Sequence, residues 1–149
     1  MKKTSFLLLA IAAFLSITSC KSCKDDLYPL ELQNFDVRWF DDDNSGTQTA
    51  GDALTFGVQI NSTDPDSDSQ YVTEWEFTYY VNNSFGGLLR GDDHIQTNSL
   101  YFDADVAIGN LALPGPGILQ QGDVVEFRLW ARDNHGTELE HTHRFVIEE

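Results

Sequence analysis

Five stretches of this chain alternate apolar and polar side chains one by one, and that period restricts the possible folds more than any other feature. Phe35, Val37 and Trp39 alternate with Asp36 and Arg38. Leu54, Phe56, Val58 and Ile60 alternate with Thr55, Gly57 and Gln59. Trp75, Phe77, Tyr79 and Val81 alternate with Glu76, Thr78 and Tyr80. The same holds for Leu100 to Val106 and for Val125 to Ala131. A period of two puts successive side chains on opposite faces of a pleated strand, one face on a core and one in water. Val, Thr, Phe, Tyr and Trp also suit such a surface. No segment after residue 20 carries a helical stripe of apolar positions.

Turn-forming clusters separate the runs: Asp41 to Gly51, Asn61 to Gln70, Asn82 to Gly91, Leu113 to Gly122 and Asp133 to Gly136. Gly, Pro, Asn, Asp and Ser dominate them, as tight reversals require. The expectation is an all-β chain, a single β-sandwich of about seven or eight strands over residues 30–149. The closing segment, Gly122-Asp123 followed by alternation through Ala131, then Asp133 and Gly136, resembles the last hairpin of bacterial immunoglobulin-like or fibronectin-type modules. Trp75 stands on the third strand, where immunoglobulin-like sandwiches bury a Trp. The resemblance implies an immunoglobulin-like sandwich, although the inter-sheet disulfide of antibody domains has no cysteines to form it.

The first twenty residues read as an address. Met1-Lys2-Lys3 precedes an apolar run, Phe6 to Ile17, too short to span a bilayer. Residues 1–19 are therefore expected to be a signal peptide. Ile17-Thr18-Ser19-Cys20 resembles a bacterial lipobox, which implies lipidation (palmitate among the acyl chains) at Cys20 and a membrane tether over residues 20–29. Lys24-Asp25-Asp26 resembles the surface-export signal of Bacteroidota lipoproteins, which implies an outer-membrane protein anchored by its acyl chains and exposed at the cell surface. Cys23 is left as an unpaired thiol in the tether.

The chain carries 24 acidic and 9 basic side chains, a net charge of −15 over 149 residues. Such acidity excludes a phosphate-backbone binder, whose affinity comes from Lys and Arg. The acids concentrate in turns. Asp41, Asp43, Ser45, Thr47 and Asp52 lie in one loop at spacings resembling a calcium loop, with Gly46 at the sharp turn. Calcium needs six to eight oxygen ligands, which alternate residues of such a loop can supply. The calcium-holding loops of some secreted bacterial sandwich modules are similar. Asp64-Pro65-Asp66-Ser67-Asp68 reads as a solvated loop, and His141 with His143 as two histidines at a sandwich rim.

Nothing points to an enzyme. The acidic pairs Glu74/Glu76 and Asp103/Asp105 fall on the outward phase of their strands, and neither G-x-S-x-G nor H-E-x-x-H occurs. Phe40, Tyr80, Tyr101 and Trp130 also fall on the outward phase, and Phe85 sits in the Asn82–Gly91 segment. Aromatics outside a core bury much area at low entropic cost and mark recognition surfaces. The expected function is a lipid-anchored envelope module that binds another envelope protein or a glycan. An accessory subunit of an outer-membrane uptake complex is one form of it. The alternative is a structural or adhesin-type spacer.

Overall fold

The computed structural model describes residues 28–64 and 69–148. The leader, Cys20 and most of the tether lie outside these residues, as do Pro65 to Asp68. The described residues form seven strands: β1 (Leu30–Phe40), β2 (Ala53–Ser62), β3 (Val72–Val81), β4 (Ser84–Asp92), β5 (Ser99–Ala107), β6 (Val124–Asp133) and β7 (Glu138–Val146). One sheet has the order β1-β2-β5 and the other β4-β3-β6-β7, every pairing antiparallel. The chain crosses between sheets after β2, β4 and β5. This is a β-sandwich of seven strands, as the alternation led us to expect.

The alternation is realised as burial. Leu54, Phe56, Val58 and Ile60 of β2 all point inward, as do Val125, Phe127, Leu129 and Ala131 of β6. Phe56 and Phe127 meet at 4.7 Å between the sheets, and Phe77 packs on Phe56 at 5.0 Å. These rings join the second and sixth strands, which a disulfide links in antibody domains. Trp75 is buried and stacks on Phe102 of the opposite sheet at 4.3 Å. Fully burying each such ring contributes about 2–3 kcal/mol by area.

Polar anchors close the ends of the sandwich. At one end Gln70 is buried, donating to the Asp133 carboxylate at 2.5 Å and to the Tyr28 carbonyl at 2.6 Å. Asp133 also accepts from the amides of His135 and Thr137, so it caps the β6–β7 turn. That role accounts for the Asp133-to-Gly136 pattern, Gly136 taking φ +81°. The chain enters β1 at this end. The β1–β2 loop and the Asn82–Asn83 turn lie at the other end, one strand length of about 35 Å away.

Two expectations need correction. Asn82 to Gly91 is not a turn cluster, because Ser84–Asp92 forms β4. Two bulges break its pairing with β3, leaving Gly86 and Leu89 without partners, and so erase the two-residue period. Trp39, on the apolar phase of β1, is 38% exposed. It lies at the far end of an edge strand, next to the loop, and its indole N–H bonds Asp52.

Candidate functional site

The β1–β2 loop brings three of its five proposed ligands together. One oxygen each of Asp41, Asp43 and Asp52 lies within 4.8 Å of the others. Asp41 accepts from the amides of Ser45 and Gly46 at 2.9 and 3.0 Å. Asp43 accepts from the Ser45 amide at 3.0 Å and the Thr49 hydroxyl at 2.6 Å. These bonds, Thr49 foremost, hold the Asp43 carboxyl below its ordinary pKa. Asp52 is 1% exposed and accepts from Trp39 Nε1 (2.9 Å), the Thr49 amide (2.8 Å) and the Asp42 amide (3.1 Å). All six carboxylate oxygens thus accept a hydrogen bond from the chain. Ser45 Oγ donates to the Thr47 carbonyl at 3.0 Å. The Thr47 hydroxyl lies 3.4 Å from Ser45 Oγ. A bidentate twelfth ligand, as in an EF-hand, is not what Asp52 offers, because both its oxygens hold N–H donors. An ion would have to share the outward lone pairs of Asp41 and Asp43.

The outer face of the four-stranded sheet carries three of the five candidate aromatics. Phe85 on edge strand β4 is 56% exposed and meets Tyr80 edge-on at 5.5 Å. Arg128 lies over the Tyr80 ring at 4.0 Å and is tied to Glu126. Arg132 stands 5.1 Å from the Trp130 ring and bridges Glu74 and Glu138 at 3.0 and 2.6 Å. Tyr80 and Trp130 are half-buried, each flanked by an arginine, while Phe85 stands free of that support. Beside Trp130 an acidic cleft of about 270 Å³ is lined by Glu74, Glu76, Leu88, Asp92 and Asp93.

The other two candidates, Phe40 and Tyr101, share the outer face of the three-stranded sheet. The register lays this face out in rows: Asn34–Gln59–Tyr101, Asp36–Gly57–Asp103, Arg38–Thr55–Asp105 and Phe40–Ala53–Ala107. Gly57 sits in the middle of the central strand. A trough of about 460 Å³ runs along this face over Gly57, with Asp36 and Asp103 among its walls. Tyr101 is 63% exposed, and its hydroxyl bonds both Asp103 oxygens at 2.9 and 2.8 Å. Bonding two residues onward on the same face lays the ring along the strand, and it raises the Tyr101 pKa. Thr55 donates to Asp105 at 2.7 Å, and Arg38 to Asp36 at 3.1 Å. Phe40, 47% exposed, ends this face on the loop side. Asn34, Asp36, Arg38, Thr55 and Gly57 were not singled out in the sequence. The signal for them was Gly57, a glycine inside an otherwise strong strand pattern.

His141 and His143 stand at the rim between β7 and β1, where Phe35 packs on His141 at 4.4 Å. Burial, with some contribution from His141, holds the His143 pKa below its ordinary value.

No family model and no curated protein matches this chain. Among solved structures, an ApaA protein from Bordetella pertussis is similar at 12% identity and a TM-score of 0.37, over 82% of this chain and 96% of that one.

Proposed function

We propose that this chain is a lipid-anchored envelope module that binds rather than catalyses. Cys20 carries the acyl chains, residues 20–29 form the tether, and the sandwich acts as an accessory subunit of an outer-membrane uptake complex. The observation that carries the reading is the exposure of Phe40, Phe85 and Tyr101 on the outer faces of both sheets, in a molecule whose core rings are buried. Aromatics left in water at such cost are recognition groups. The tether enters at the end opposite the β1–β2 loop, which orients that loop away from the membrane. A calcium ion on Asp41 and Asp43 is part of this proposal, supported by the convergence of the carboxylates.

The test is fractionation and co-purification in the native host. Wild type is expected in the outer-membrane fraction, accessible to external protease, and recovered with a membrane complex after mild detergent extraction. Cys20→Ser is expected in the soluble fraction. Unchanged fractionation of Cys20→Ser would overturn the anchor, and recovery of the chain alone would overturn the subunit role.

A further inference from the structure

We propose that the outer face of the three-stranded sheet is a binding groove for a neutral oligosaccharide chain, laid across Gly57 between Tyr101 and Phe40. This deepens the binding reading above, on which it rests, by giving the module its ligand class and its site.

Gly57 is the first argument. Nothing in the fold requires a glycine there. Its backbone is not left-handed, and the register runs unbroken through Asp36, Gly57 and Asp103. A Cβ would meet the Asp103 carboxylate at 3.5 Å and the Asp36 Cβ at 3.9 Å, both ordinary contacts. Glycine inside a strand destabilises it relative to alanine, and where no bulge explains it the residue marks a close approach to the backbone. Here the approach comes from outside, into the trough that runs over Gly57.

The chemistry around the trough is the second. A sugar ring presents an apolar C–H face and a rim of hydroxyls that both donate and accept. Tyr101 offers the matching surface, a ring laid along the strand and locked through its hydroxyl to Asp103. Phe40 offers another, six residues along β1 from the row that Tyr101 occupies, about 20 Å at strand rise. That span suits several linked sugars rather than one. Between the two rings lie acceptors on Asp36, Asp103 and Asp105 and donors on Asn34 and Arg38. Each carboxylate anchors a neighbour and, with about four lone-pair sites, still has acceptor capacity for hydroxyls.

Charge narrows the class further. Three carboxylates face one guanidinium in the trough, and the whole chain is at −15. Uronates, sulfated chains and nucleic acids would be repelled. The arrangement also disfavours a metal ion: among the described residues, the acidic and histidine groups whose ligand atoms converge within 4.8 Å lie elsewhere, at Asp41, Asp43 and Asp52 and at Asp92, Asp93 and His94. A protein partner would want an apolar centre with charge at the rim, and this face has the reverse.

Affinity electrophoresis of the full chain in detergent tests the proposal, with xyloglucan, galactomannan, laminarin and amylopectin as neutral probes and alginate as the anionic one. At least one neutral polymer is expected to retard wild type. Tyr101→Ala should weaken that binding about tenfold, the scale of one lost stacking contact. Gly57→Val should abolish it by filling the trough, and Gly57→Ala should weaken it even if valine disturbs folding. Thermal melting checks that each variant is folded, and Thr142→Ala on the exposed face of β7, in the opposite sheet, should bind as wild type. No retardation by any neutral polymer, or retardation by alginate alone, would overturn the proposal. Binding that survives Gly57→Ala and Tyr101→Ala but is lost in Trp130→Ala would overturn the groove while leaving a binding module in place.

Discussion

Asp52 sets the stability of the loop end, and its replacement gives a measurable test. The side chain is 1% exposed and holds three N–H donors at 2.8 to 3.1 Å. A hydrogen bond to a charged group is worth about 1.5–3 kcal/mol net, and a donor left unsatisfied costs its desolvation. Water can reach part of the loop, since Trp39 is 38% exposed, so the low end of that range applies to each bond. Asp52→Ala should therefore destabilise the domain by about 4.5 kcal/mol. For a domain of about 120 residues that lowers Tm by roughly 18 °C. Asp52→Asn keeps the shape and one acceptor oxygen, but turns an NH2 toward a backbone N–H, and should cost about 1–2 kcal/mol. A double-mutant cycle of Asp52→Ala with Trp39→Phe should show a coupling of about 1 kcal/mol, because each change removes the one hydrogen bond the pair shares. Urea denaturation in EDTA is the assay. If Asp52 acted only as a cation ligand, Asp52→Ala would match wild type in EDTA and differ only with calcium. That result would refute the hydrogen-bonding account.

Three further outcomes follow from the same geometry. Gly86→Ala should destabilise by about 1–3 kcal/mol in urea, because a Cβ there would lie 2.2 Å from the ring of Tyr79, whose hydroxyl is tied to the Ala112 carbonyl. Stability should fall as pH drops below about 6.5. His143 binds a proton less readily folded than unfolded, so its contribution is complete above the unfolded pKa and is lost on acidification toward the folded one. His143→Leu should flatten that part of the pH profile, and an unchanged slope would place its origin elsewhere. Millimolar calcium added to chelated protein should raise Tm by mass action on the folded state. An unchanged Tm would remove calcium from the β1–β2 loop.

Much of the candidate surface was legible residue by residue and none of it as a surface. Phe40 and Tyr101 stand on the polar phase of their strands, and the fold leaves both exposed. Tyr80 and Trp130 stand on the same phase, yet Arg128 and Arg132 lie against them. The alternation distinguishes inward from outward and is blind to what else shares the outward face. β4 escaped the sequence reading because two bulges in nine residues destroy its period, and the Gly86-Gly87 pair looks like a turn until Tyr79 is seen lying over it.

The sequence by itself determined the strand class, the inward face of β2, β3, β5 and β6, and the loops that follow β1, β2, β5 and β6. Pleating is local: neighbouring side chains must oppose one another whatever the strand pairs with. Tertiary structure decided which strands became neighbours, and that depends on contacts between residues far apart in the chain. Only the β1-β2-β5 order puts Asp36, Gly57 and Asp103 in one row, with Tyr101 in the row on one side and Phe40 two rows away on the other. An unremarkable glycine thereby became part of the floor of a trough that Tyr101 lines, and Phe40, 61 positions away in the chain, came to share its face.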